Sequence, residues 1–474
     1  MKYDVVIIGS GFGGLACARQ LAQAGRSVLV LERQRQPGGC LQSFSRSGLA
    51  FDTGFHYVGG LAEGQAMHRL FSQLGLMHLP WHRLDADGFD RVTIGHDTFA
   101  FAEGYDHFAH TMTEYFPNQR EAISRYVQLL RDMPPAEELG EINAYEYLTG
   151  NFTDQLLINV LSGTSLKMEL RRESLPLFTF AHGNSSYIQS SWRLRGDGSL
   201  IADSLLGDLQ QAGGCLICQA EVEELQEHDG KIVAARTTDG EVYEGSTFIS
   251  DAHPALTLQW VKNSDKLKGL YRRRISSLGN TFGMFIVSLV LKPGRLAYFN
   301  HNKFVYRKPN VWNFHEDTEG VGGIMLSCRV PATVQQEQAE QPLQVDIMTP
   351  MPWTAVAPWE QTTVGHRGPA YEQFKNHVAN QCMELAEQVI PGLSDMVSQR
   401  YTSTPLTWRD YTLTPQGSAY GIRKDSRQFM LTMLSPRTPI PNLYLTGQSL
   451  MLHGLEGVAR TAIQTCSLIL NDKH

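Results

Sequence analysis

An α/β chain is predicted, with a parallel sheet at its start and a second, discontinuous α+β domain built on a mixed sheet. Three observations carry this prediction. Val5-Val6-Ile7-Ile8 is an unbroken run of β-formers, the pattern of a parallel strand covered on both faces. Gly9, Gly11 and Gly14 follow at once in G-x-G-x-x-G spacing, and a helical pattern opens behind them. Towards the far end, Asn442-Leu-Tyr-Leu-Thr runs into a glycine turn at Gly447 that opens another helix.

The first turn has a physical job for each glycine. Gly9 permits a tight bend, Gly11 lets a pyrophosphate approach the backbone, and Gly14 lets the helix pack close to the strand. Phe12 and Gly13 complete the loop, which holds no lysine, so phosphates are left to backbone N–H groups and a helix N-terminus. Leu15, Ala18, Leu21 and Ala22 form one apolar helix face, and Gly25 stops the helix. A second strand, Val28–Leu31, ends on Glu32, 18 residues past Gly14, where a ribose-binding carboxylate is expected. That acid can accept from two ribose hydroxyls and repels a 2′-phosphate. The unit is therefore Rossmann-like.

At 474 residues the chain is too long for one core, so two domains are expected. A net charge of −7 without a basic tract argues against nucleic acid. Seven scattered cysteines make a disulfide framework an unsuitable reading and a reducing compartment, the cytoplasm, the expected one. Cys215 and Cys218 form a lone C-x-x-C inside an apparent strand, 215–222, and read as core residues. No metal-ligand cluster and no Ser-His-Asp motif stands out. The run Phe282–Leu291 is far shorter than the roughly 20 residues a bilayer span requires, so it reads as a buried strand.

Further along, Pro37-Gly38-Gly39 marks another tight turn, and 48–60 reads as a loop-and-strand element wrapping a ligand. Residues 61–190 are helical in pattern, with helices near 68–76, 120–133 and 153–161, and a strand across Val92–Phe101. A helix follows within 196–214, then strands at 215–222, 231–237, 242–243 and 247–250, the last ending at Asp251-Ala-His-Pro254. This stretch is placed back in the first domain. A strand-rich part, 277–352, and a helix at 371–389 precede the C-terminal turn, and Gln335–Gln341 reads as a polar loop or exposed helix.

With both ends read, the chain resembles the flavoprotein group of phytoene desaturases, carotenoid isomerases and retinol saturases. Five segments carry the resemblance: Val6–Leu15 with Glu32-Arg33; Pro37-Gly38-Gly39; Phe51-Asp-Thr-Gly-Phe-His-Tyr-Val-Gly59; Pro405–Ile422; and Asn442–Gly454. The third looks more like the retinol saturase and carotenoid isomerase side. The resemblance implies a Rossmann-like FAD-binding domain of glutathione-reductase type from residues 1–80, 195–275 and 435–474. Residues 81–194 and 276–434 would form a substrate-binding domain with a helical cap. It places Gly9, Gly11 and Gly14 at the pyrophosphate, Glu32 at the ribose and Arg33 near the adenine. It lines the FAD channel with Gly38 and Gly39 and sets the Val222 backbone against adenine. The Gly447-Gln448-Ser449 turn falls at the ribityl region, and His453, Gly454 and Gly457 beside the isoalloxazine. Two positions depart from the group: Ser449 stands where many members have an acid, and Cys40 where the usual Gly-Gly-Arg has its arginine.

The chemistry expected is flavin chemistry on carbon–carbon double bonds of an apolar, polyene or isoprenoid-like substrate, by saturation, desaturation or isomerisation. Candidates beside the ring are His56 and Tyr57, Tyr420 and His453. A neutral imidazole can donate to flavin or polarise substrate, and a tyrosine can deliver a proton after hydride transfer; packing is the competing role for each. His253 reads as a strand end. Only one dinucleotide fingerprint is present, so electrons come from or leave to oxygen, a quinone or a reductase. Helices within 140–190, with Phe178, Phe180, Tyr187 and Trp192, read either as a peripheral membrane contact or as the roof of a substrate tunnel. The alternatives are a flavin amine oxidase, for which only Tyr420 suggests an aromatic cage, a prenyl-binding protein of the same fold without flavin, and a flavin carrier without turnover.

Overall fold

The structure is a computed structural model and describes residues 2–313, 320–330 and 343–471. Its first sheet has a parallel core. Strand Lys2–Ile8 lies between Val28–Leu31 and the C-terminal half of Val242–Ser250, with Cys215–Ile217 and Leu443–Leu445 added outside. Val5 and Ile7 pack with the helix Phe12–Gln23 and the closing helix Gly454–Asn471, whereas Val6 and Ile8 pack towards the opposite face. Burial on both faces is what the unbroken apolar run requires. Strands Val222–His228 and Lys231–Thr237 extend the sheet as an antiparallel meander.

The second sheet is mixed and runs in the order 397–403, 283–291, 344–351, 323–328, 302–306, 90–94, 97–101. Alternation along Gly283–Leu291 divides its side chains. Phe285, Val287 and Leu289 face a core completed by the helix Pro369–Glu387, while Met284 and Ile286 face the helical region 105–189.

Several expectations are corrected. Val92–Phe101 is a hairpin, Asp90–Ile94 and Asp97–Phe101, turning at Gly95 with φ +65°. The expected strand 215–222 breaks after Ile217, because Gln219 adopts φ +59° and the chain restarts at Val222. Cys215 is exposed and Cys218 only half-buried, since an edge strand and its turn leave them outside the core. Residues 242–243 and 247–250 are one strand, continuous because its two halves pair with different neighbours. Trp192 lies in a strand, Ser191–Leu194, and not in a helix. Phe178 and Phe180 are buried, against Phe429 and Trp312, so they form no lipid-facing surface. The Gln335–Gln341 stretch lies outside the described residues. Among the described residues, no helix is long and apolar enough to cross a membrane.

Candidate functional site

One continuous cavity runs from the C-terminal ends of the parallel strands to the cavity-facing side of the second sheet. Open α/β sheets bind ligands at that strand edge, because the turns there present N–H groups. Gly9, Gly11, Phe12 and Gly13 line it after the first strand, and Glu32 and Arg33 after the second. Gly38 and Gly39, Val222, Gly447, Gln448 and Ser449, and Gly454 and Gly457 line it as well, as do His56, Tyr57, Tyr420 and His453. Of the cofactor-binding and catalytic candidates named from the sequence, Gly14 alone stays out of the lining; a Cβ there would strike the Gly9 carbonyl, so its role is close packing of helix on strand.

Glu32 is buried and ties the turn to the second strand. Its Oε2 accepts from Ser10 N at 2.9 Å and from Ser10 Oγ, and its Oε1 accepts from Gln34 N at 2.7 Å. A carboxylate has about four acceptor positions, so room remains for about one ribose hydroxyl and not two. Arg33 donates to the Asp410 carbonyl at 2.8 Å, and Gln34 to the Tyr411 carbonyl at 3.0 Å. The helix Pro405–Thr412 is thereby drawn over the nucleotide end, where Trp408 and Tyr411 join the lining.

At the other end the lining turns apolar. Met284, Met325 and Met348 come from three neighbouring strands, and Met168 faces the same cavity; all four are buried. Thioethers are flexible and polarisable and suit flat, electron-rich ligands. The helix Leu177–Gln189 covers the chamber with Thr179, His182, Gly183, Ser186 and Tyr187. The Tyr57 and Tyr187 rings lie 4.4 Å apart at 39°, and Tyr420 and His453 lie 4.9 Å apart at 46°. The Tyr57 hydroxyl donates to Asp90 Oδ2 at 2.9 Å, so its proton is committed to the second sheet. Burial raises the phenols of Tyr420 and Tyr187, keeping both protonated as donors. His253 caps the helix Pro254–Trp260 through Nδ1 and pairs with Asn280 at 2.8 Å, and burial lowers it to about 4.

Sequence reasoning missed Asp251, the four methionines, and the His182–Glu456 contact at 3.6 Å on the chamber rim. Asp251 was visible as a strand end, but its approach to the glycine turns is a product of strand order. The methionines sit on strands far apart in sequence and meet only through register.

The cavity fits a dinucleotide with a ring system. Side chains at Gly11 or Gly13 would fill the cradle, donors line one end, and an apolar chamber continues from the other. The comparisons agree. Residues 7–74 match the model of the NAD(P)-binding Rossmann-like domain. Human all-trans-retinol 13,14-reductase is 27% identical over 99% of this chain and 86% of its own length. Prolycopene isomerase of Arabidopsis thaliana is 25% identical over 94% of this chain and 79% of its own. The solved structure of putrescine oxidase bound to putrescine superposes with TM-score 0.68 at 15% identity, covering 99% of each chain. Fold, site and relatives together define an oxidoreductase with a Rossmann-like dinucleotide site. Within that class, the chain is similar over nearly its whole length to a retinol reductase and a prolycopene isomerase.

Proposed function

We propose that the chain is an FAD-dependent oxidoreductase acting on carbon–carbon double bonds of an apolar conjugated polyene. One observation carries the reading: the cavity joins a diphosphate cradle at Gly9–Gly13 and Gly447 to an apolar chamber floored by Met284, Met325 and Met348. The names of its relatives, a retinol reductase and a prolycopene isomerase, point to the same substrate class.

A flavin bound here would exchange a hydride equivalent with carbon, chemistry the protein itself lacks. The chain's own residues do the rest. Backbone N–H groups of the first glycine turn and the N-terminus of helix Phe12–Gln23 hold the diphosphate, and Glu32 holds the ribose. The methionine floor and the helix Leu177–Gln189 hold the polyene flat and exclude water. Tyr420, protonated and against His453, supplies the proton at the neighbouring carbon when the double bond is reduced. Electrons enter from or leave to oxygen, a quinone or a reductase.

The test is spectroscopic and chemical. The purified chain should be yellow. Its reduced form, mixed anaerobically with a panel of polyenes, enones and unsaturated lipids, should convert a polyene to a product with an altered double bond. Tyr420→Phe should keep its flavin and lose about 10²-fold in turnover. A colourless protein would favour the prenyl-binding reading. Reduction of bound flavin by a primary amine would favour an amine oxidase, and a flavin spectrum that answers neither would favour a carrier.

A further inference from the structure

The strand Val242–Ser250 ends at Asp251, and its carboxylate lies where the two cofactor turns meet. A Cβ built on Gly13 would come within 2.5 Å of Oδ1, one on Gly447 within 2.6 Å of Oδ1, and one on Gly11 would collide with Oδ2. The same side chain therefore touches both turns assigned to the diphosphate. Asp251 also lines the cavity and is not fully buried, so it opens on space a bound dinucleotide would cover.

Its surroundings are wrong for an anion. The one charged group acting on it is Glu32, from the end of the second strand, and that is another carboxylate. Burial raises the Cys17 thiol of the first helix and the Cys40 thiol of the 39–41 turn, and both are close enough for the charge of Asp251 to push them up further. The Gly14 amide is the one group that favours its charge. Burial wins, and the carboxyl is pushed up to about 7. A diphosphate adds two negative charges beside this group, removes its remaining water, and competes for the amide groups at the same helix N-terminus. An ionised Asp251 therefore disfavours a bound diphosphate, and a neutral Asp251 is compatible with it.

We propose that Asp251 is a cofactor-binding residue that works as a neutral acid, taking up one proton as the diphosphate of the dinucleotide settles between the two glycine turns. This rests on the FAD reading of the site. It makes cofactor affinity depend on pH: the bound state holds a proton that the empty state loses above about pH 7, so binding weakens as pH rises.

The experiment is titration calorimetry of FAD into the full-length chain stripped of flavin, at pH 6 and pH 8, in buffers of different ionisation enthalpy. At pH 8 about one proton should be taken up per FAD bound, and at pH 6 close to none. The apparent Kd should rise about tenfold per pH unit above 7. Asp251→Asn keeps the shape and removes the titration; it should bind FAD with a flat pH profile and without the extra proton at pH 8. Tight binding by the wild-type chain at pH 8 with no buffer-dependent heat would overturn the proposal while leaving the FAD reading intact, and so would an unchanged proton uptake in Asp251→Asn. A wild-type chain that takes up no FAD at either pH would overturn both.

Discussion

At Gly14 a single hydrogen atom in place of a side chain sets the distance between the first helix and the first strand. A Cβ there meets the carbonyl oxygen of Gly9, and backbone cannot move aside as a flexible side chain can. Gly14→Ala should cost about 1–3 kcal/mol in denaturant unfolding by overpacking, and the flavin-to-protein absorbance ratio should fall with it, because the displaced helix carries the phosphate donors. A variant with undiminished stability and flavin would refute this account. Glycine roles of this kind are legible in a sequence, since the spacing encodes the turn. The role of Asp251 is not, because nothing in Ile249-Ser-Asp251 says which turns the strand end will face. The same holds for Tyr57: its neighbours suggest a ligand contact, yet its hydroxyl partner Asp90 lies on a different sheet.

The C-terminal turn is an element held from behind. Lys424 is buried, and its Nζ donates to the carbonyls of Thr432, Ser449 and Leu450 at 2.7, 3.0 and 2.9 Å. Three carbonyl acceptors match the three donors of an ammonium, while burial lowers its pKa to about 7. Lys424→Met leaves three buried carbonyls without this donor and should destabilise the chain by about 3 kcal/mol or more, with weaker flavin retention. The sign of the pH effect follows from the lowered value. Between about 7 and 10.4 the unfolded chain binds a proton the folded chain has lost, so this group makes stability rise with pH in that window. The variant should lack that rise, which urea unfolding at pH 7 and pH 9.5 would measure. Elements of this size were legible where periodicity was long, as in 12–23, 120–132 and 369–387. They are misjudged where two short strands adjoin, since a turn of only two residues, Gly95-His96, separates the strands of Val92–Phe101.

Across the whole molecule, Arg329 fastens the second sheet to the loops around the first. It follows strand Gly323–Cys328, donates to the carbonyls of Gly196 and Ala50, and faces Asp197 at 3.3 Å and Asp52 at 3.9 Å. Burial pushes the Asp52 carboxyl up to about 7, and Arg329 pulls against that shift. A carboxyl raised in the fold loses its contribution as pH climbs from about 4 to 7, because the unfolded chain ionises first. Arg329→Met should therefore destabilise by about 3 kcal/mol at pH 8 and by less at pH 5, where Asp52 is protonated in the fold. Equal losses at both pH values would count against this coupling. That two sheets exist was readable from composition and strand patterns. Their facing across a shared cavity was not, because ion pairs between positions as distant as 52, 197 and 329 leave no local pattern.

The strand Leu443–Leu445 is one of the two outer strands of the parallel core, and Gly447 follows it after Thr446. On a ribosome, then, the first glycine turn emerges more than 400 residues before the turn that must oppose it. Until residues 443–449 have left the exit tunnel, the nascent chain holds only half of the nest proposed for its nucleotide, so loading must wait for them.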